Sequence, residues 1–130
     1  MADAVNTTVV YESPRYYVVQ FTNTSDGTGE SDVTKVDVST LTGPSGETCV
    51  DVVLEEITWS IKGFAYVAME WDADTDDVLE TLAGDGYKSY EFVAGLHNPK
   101  STGWNGDVLI TTGGAVADSI YNIVCTFRKR

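Results

Sequence analysis

Strict alternation of apolar and polar residues is the feature that most limits how this chain can fold. The alternation is clearest in residues 57–61 and again in residues 65–71, with Lys62 and Gly63 between them. A period of two places every second side chain on the same face, which is typical of half-buried antiparallel strands. The pattern predicts two strands joined by a tight turn into a hairpin.

Similar short runs occur along the rest of the chain, separated by turns rich in Gly, Pro and Asp. Eight or nine strands at this spacing predict an all-β fold, a single antiparallel β-sandwich domain of the jelly-roll type over residues 1–130. The last strand, 119–127, is apolar on both faces, which indicates a central position or a place at an interface. The ends, residues 1–6 and 128–130, are expected to be flexible arms.

The charge balance limits the class of partner. The chain has 130 residues with 20 acidic and 8 basic side chains, a net charge of −12. Nucleic-acid binding needs clustered Lys and Arg, so no nucleic-acid partner is expected, and a neutral or basic protein surface is favoured. Neither an apolar run of membrane-spanning length nor a secretory leader is found in the sequence. This predicts a protein without a membrane partner that stays in the cytosol or leaves it by a route other than secretion.

Two local patterns suggest contact residues. The basic cluster Arg128, Lys129 and Arg130 is either a solubilising tail or a tether to an acidic partner. Glu55 and Glu56 are adjacent within one predicted strand, so either a bulge occurs there or one of them meets a partner.

An acidic loop is the best candidate for a metal site. Asp72, Asp74 and Asp76 have the spacing that opens a helix-loop-helix calcium loop. The sixth position is Asp77, where that loop needs Gly, and the twelfth is Ala83, where it needs Glu. The sequence therefore predicts a solvated turn and no metal ligands, with a looser calcium site as the alternative.

Catalytic residues are not predicted. His97 is the single histidine and has no neighbouring motif that would supply a nucleophile and an orienting acid. Cys49 and Cys125 lack the spacing of a zinc or redox site, and we expect two buried, reduced thiols, with a bridge between them left open. Neither a cofactor nor enzymatic activity is predicted.

The aromatic residues allow two interpretations. Trp59 and Trp71 lie in alternating strands and are expected in the core. Trp104 lies beside Gly103 and Asn105 in an irregular stretch and is expected to be exposed. An exposed loop tryptophan is either an interface anchor or a platform for a ligand such as a sugar.

Five segments together resemble small structural proteins of tailed bacteriophages. They are residues 14–19, 71–73, 82–86, 90–98 and 106–112, which read PRYYVV, WDA, LAGDG, YEFVAGLHN and GDVLITT. The likeness spans most of the chain and rests on turns and strands, without catalytic motifs. Residues 22–31 and 72–77 depart from the family in being longer or more acidic.

The resemblance implies a virion component, most like a head decoration (cement) protein. The implied partner is the major capsid protein, and the implied state is a homo-oligomer such as a trimer. The location would be the capsid surface, after synthesis in the host bacterial cytoplasm. The residues expected at the interface are Arg128, Lys129, Arg130, Trp104, Glu55 and Glu56.

Two other functions stay open at this point. One is a carbohydrate-binding or adhesion module that uses Trp104, Tyr87 and the acidic loop. The other is a tail or neck subunit that forms a ring through the edges of its strands.

Overall fold

The computed structural model of the protein describes residues 3–130 and contains nine strands in two antiparallel sheets. In chain order the strands are β1 (Ala4–Glu12), β2 (Tyr16–Asp26), β3 (Val33–Val36), β4 (Val52–Lys62), β5 (Tyr66–Trp71), β6 (Asp77–Leu82), β7 (Asp85–Ser89), β8 (Val108–Gly113) and β9 (Ala117–Lys129). Two single turns of 3₁₀-helix, Val38–Thr40 and Glu91–Val93, lie in the connections. Among the described residues no helix is long and apolar enough to cross a membrane.

The strand order confirms the predicted sandwich. One sheet runs β1-β2-β9-β4-β7 and the other β3-β8-β5-β6. Without β1, the two sheets have four strands each, and most connections pass from one sheet to the other. That arrangement is a jelly roll, and β1 is an additional strand at the edge of the larger sheet.

The core lies between the two sheets and is built from the inward-facing side chains of the strands. Its largest fully buried side chains include Trp71, Phe21 and Phe127. They come from both sheets and belong to one hydrophobic cluster. Trp71 is therefore in the core as predicted, whereas Trp59 is partly buried and packs against that cluster.

The predicted hairpin is wrong. β4 pairs with β7 and β9, whereas β5 pairs with β6 and β8, so the two alternating runs lie in different sheets. Gly63 makes the crossing with a φ of 94°, and a Cβ there would lie 2.9 Å from Cα of Ser119. Both runs have an apolar face, and these faces pack across the sandwich instead of side by side.

The expected arms at the two ends are also contradicted by the structure. Residues 4–6 belong to β1 and pair with β2, while residues 1–2 lie outside the described part of the chain. Residues 128 and 129 belong to β9, and Arg130 exchanges backbone hydrogen bonds with Val50 and Asp51. Backbone pairing of this kind keeps both segments inside the sheet.

β9 occupies the middle of the larger sheet, as its two apolar faces predicted. Tyr121, Ile123, Cys125 and Phe127 point into the core and are buried. On the other face Ile120 remains exposed, so that face is not covered.

Candidate functional site

The end of β9 forms the centre of the candidate site. The Arg128 guanidinium lies 2.6 Å from Oε1 of Glu55 and also donates to the carbonyl of Ala94 at 3.0 Å. The pairing of β4 with β9 shifts register between Leu54 and Glu56, which is the bulge expected at the two adjacent acids. The bulge and the ion pair both occur, and two of the predicted interface residues are thereby brought together.

Residues 90–96, called the 90–96 turn below, lie along the start of β4. The backbone N–H of Tyr90 donates to Glu55, and Leu96 and Leu54 form a two-way backbone bridge. Gly95 has a φ of 96° and lies so close to Val53 that a Cβ there would be 2.2 Å from its Cγ1. The turn is thus fixed by backbone contacts against the sheet.

The tip of the 90–96 turn is apolar and exposed. Phe92 is 83% exposed and Val93 is 54% exposed. The Phe92 ring stands on a fixed backbone and has no partner inside the domain that shields its apolar surface from water. This is the arrangement expected of an interface anchor.

An acid pair borders the same turn. A hydrogen bond shared with Glu91 raises the pKa of Glu56, with smaller effects from burial and from the charges of Glu91 and Glu55. A cation placed beside these neighbouring carboxyls relieves their repulsion, so the pair accepts a basic group readily.

A second cluster surrounds Asp51, whose side chain is 1% exposed. Nε of Arg130 lies 3.7 Å and Nζ of Lys100 lies 3.9 Å from its two carboxylate oxygens. Arg130 also lies 2.9 Å from Nδ1 of His97. The ring of Trp104 is partly buried, with Nζ of Lys100 5.1 Å from its centroid, so the expectation of an open tryptophan is wrong.

Lys129 is not a surface contact. Its side chain is 2% exposed, and its ammonium lies 2.7 Å from Oε2 of Glu12. The pair borders a groove of about 610 Å³ between the β1–β2 turn and residues 42–46. Within the groove this acid and this lysine neutralise each other, so neither offers an unpaired charge to a ligand.

The acidic loop is divided among three sets of contacts. Asp72 accepts a hydrogen bond from Asn105 at 2.8 Å, and Asp76 accepts one from the N–H of Ala73 at 3.0 Å. Asp76 also joins Asp32 and Glu70, with one oxygen of each within 4.8 Å of the others. The carboxylates of the loop alternate in the sequence, but they therefore do not come together at one point.

Glu70 is the member of that acidic group whose pKa is raised. Burial raises its pKa, and the nearby acids Asp32 and Asp76 raise it further, against a hydrogen bond from Thr111 that lowers it. Oγ1 of Thr111 lies 2.8 Å from Glu70 and 3.1 Å from Asp32. The group is a local concentration of negative charge on the surface of the smaller sheet.

The two thiols are structural. Cys49 and Cys125 are both free and buried, as expected, and no bridge joins them. Burial raises the pKa of both thiols, so each is held as the protonated and weakly nucleophilic form. His97 lies against the cation Arg130, which cannot serve as the orienting acid of a catalytic base.

Three residues of the site were not predicted. The alternating run 87–93 predicts a strand with Tyr90 and Phe92 on one side, whereas Phe92 lies in the 3₁₀ turn Glu91–Val93. The signal that could have found the turn is the sequence Ala94-Gly95, where both residues have positive φ. Asp51 and Glu91 carry no sequence signal, because their partners are distant along the chain.

No match to this chain was found among family models, curated proteins or solved structures.

Proposed function

We propose that this protein is a non-enzymatic structural component of a tailed-phage virion, a decoration protein that binds the outer capsid surface and stabilises the head. Its partner would be the major capsid protein. It would be made in the cytoplasm of the bacterial host and reside on the capsid surface.

The exposed aromatic of the 90–96 turn is the observation that carries the proposal. Hot spots of protein interfaces are rigid aromatic side chains that bury most of their area in a partner pocket. Phe92 is 83% exposed and stands on a turn that Arg128 and Glu55 hold against the sheet. A preformed anchor loses little conformational entropy on binding, which favours a tightly held accessory protein.

The charge of the protein also supports the proposed binding to a capsid surface. The protein carries a net charge of −12, which keeps free copies apart and favours a neutral or basic surface as partner. Binding of many copies to one shell is also strengthened by multivalency, since each copy binds beside neighbours on the same lattice. The jelly roll is shared with viral capsid and lectin domains, which is a likeness of fold only.

A carbohydrate-binding module is the second candidate, favoured by one observation. The acidic loop and the segment that carries Trp104 lie together, joined by the Asp72–Asn105 hydrogen bond. Lys100 lies over the Trp104 ring and would have to move before a sugar could stack there. Binding on a glycan array by the folded protein, lost in Trp104→Ala, would favour this candidate over the first.

Co-sedimentation with phage heads stripped of accessory proteins tests the first proposal. At physiological salt we expect saturable binding with a fixed copy number per capsid subunit. Phe92→Ser should weaken the binding roughly tenfold or more, because it removes the anchor without touching the core. Val116→Ser is the matched control, since Val116 is 57% exposed and directly precedes β9, at the end of that strand opposite to Arg128.

Two outcomes would count against the proposal. Absence of binding by the intact protein would remove the capsid role and favour tails or glycans as the next targets. Equal binding by both variants would show that Phe92 is not the anchor.

A further inference from the structure

β1 is an open edge that the domain itself does not cover. It pairs with β2 on one side only, and all nine of its residues are exposed. Apart from its ladder with β2, no backbone hydrogen bond of residues 4–11 to other parts of the described chain is found. An edge of this kind offers a row of unpaired N–H and C=O groups to another strand.

β1 differs from the other three edge strands in length and charge. β3, β6 and β7 have four, six and five residues, and each carries at least one charged side chain. β1 has nine residues and no charged side chain from Ala4 to Tyr11. Proteins protect their edges with charges, short strands and bulges, and before Val10 this edge has none of them.

The lack of charge favours a second copy of this chain as the occupant. With a net charge of −12, two copies repel each other at most orientations. If two copies meet at β1, the strands in contact carry no charge. The electrostatic repulsion between the copies is therefore smallest at the edge whose backbone groups are unpaired. In the register described next, the flanking Asp3 and Glu12 of one copy do not face acids of the other.

The sequence of β1 is nearly symmetric about Thr7. Residues 5–9 read Val-Asn-Thr-Thr-Val, so an antiparallel copy centred on Thr7 pairs Val5 with Val9, Asn6 with Thr8, and Thr7 with itself. Opposite residues in such a pair point to the same side. Regular pairing with β2 shifts between Val9 and Tyr11, and the symmetric part ends where that bulge begins.

The side chains of β1 suit this pairing. Val5 and Val9 face the same side as the buried residues of β2, since they pair with Asn23 and Val19. They are 47% and 49% exposed, because the smaller sheet does not cover β1. In the symmetric pair each valine meets the other valine of the second copy, which removes apolar area from water.

We propose that two copies of this protein pair through β1 in an antiparallel, two-fold manner centred on Thr7, which joins their larger sheets into one continuous sheet of ten strands. The proposal is independent of the capsid-binding role, since the 90–96 turn lies beside β4, away from the β1 edge. It replaces the trimer implied by the resemblance with a dimer.

Sedimentation velocity over a dilution series tests the oligomeric state. We expect a concentration-dependent dimer, and we expect Thr7→Lys to raise its dissociation constant by roughly tenfold or more, because two like charges then face each other at the axis. Thr58→Lys is the matched control, since Thr58 is exposed in β4, an inner strand of the same sheet. A monomer at every concentration, or a trimer, overturns the proposal.

Disulfide trapping tests the register without relying on a destabilising charge. Thr7→Cys places two thiols directly opposite each other, within reach of a bridge, and should cross-link into a dimer under mild oxidation. Thr8→Cys faces Asn6 of the second copy and should cross-link far more slowly. The native cysteines are buried and do not interfere. Cross-linking of both variants at the same rate overturns the two-fold register.

Discussion

At the residue scale, a buried ion pair lies under the loop that follows β2. Nζ of Lys35 is 2.6 Å from Oε2 of Glu30, and the side chains are 4% and 5% exposed. Oε1 of Glu30 accepts hydrogen bonds from Tyr121 at 2.5 Å and from Asn23 at 2.8 Å. The loop is thus anchored to the core.

We expect Lys35→Met to lower the free energy of unfolding by roughly 3–5 kcal/mol, because it leaves the buried Glu30 carboxylate without a counter-charge. Urea denaturation followed by fluorescence measures this change. Lys62→Met is the control, since Lys62 is exposed, and its effect should stay within about 0.5 kcal/mol. Similar losses in the two variants would contradict a special role for the Lys35–Glu30 pair.

At the element scale, the acidic surface of the smaller sheet carries a measurable pH dependence. The pKa of Glu70 is raised above 4.5 by burial and by neighbouring acids. The folded state therefore binds this proton more tightly than the unfolded state does. This contribution to stability is present at low pH and is lost as the pH rises through the folded pKa.

We expect Glu70→Gln to be more stable than the unmodified protein at pH 7, by up to about 1 kcal/mol since solvent screens this partly exposed site. Gln keeps an acceptor for the hydroxyl of Thr111 and removes the repulsion with Asp32 and Asp76. The gain should shrink as the pH falls well below 4.5, because Glu70 then becomes protonated in the unfolded state as well. Thermal melts at several pH values check this, and a gain that is constant with pH would refute the electrostatic cause.

Calcium should change the melting temperature little. The acids of the loop are held by protein hydrogen bonds, and they point to different partners instead of to one ion. Melts with calcium, with magnesium and with a chelator measure the effect. A rise of many degrees with calcium alone would instead assign the Asp32–Glu70–Asp76 group as a cation site.

At the scale of the whole molecule, the last three residues connect three parts of the fold. Arg128 binds Glu55 beside the 90–96 turn, Lys129 binds Glu12 at the β1–β2 turn, and Arg130 lies against Asp51. The cluster that looked like a tail or a tether is thus embedded in the sheet. Its charges are paired within the domain.

Deletion of residues 128–130 should lower the free energy of unfolding by more than about 3 kcal/mol, because it removes the arginine partner of the buried Asp51 and shortens the central strand. Chemical denaturation measures this loss. A companion variant with Arg128, Lys129 and Arg130 all replaced by Gln keeps the strand and removes the charge, so it separates the two contributions. A deletion without effect on stability would restore the interpretation as an arm.

Local pattern was sufficient for the fold class and for part of the candidate site. Alternation along β4 and β5 indicated which side chains are buried, because successive side chains of any strand point to opposite faces of its sheet. The adjacent acids Glu55 and Glu56 indicated a bulge for the same local reason. The turn at Phe92 was missed because an alternating run there ends in a 3₁₀ turn that only its contacts with β4 define.

Alternation and turn residues act over a few positions, and they were enough to specify short antiparallel strands with one buried face. Which strands are neighbours depends instead on packing between distant parts of the chain. The tertiary structure placed β4 and β5 in different sheets, because two apolar faces can be buried across a sandwich as well as side by side. It also paired Lys129 with Glu12 and left β1 uncovered, since both results depend on groups far apart along the chain.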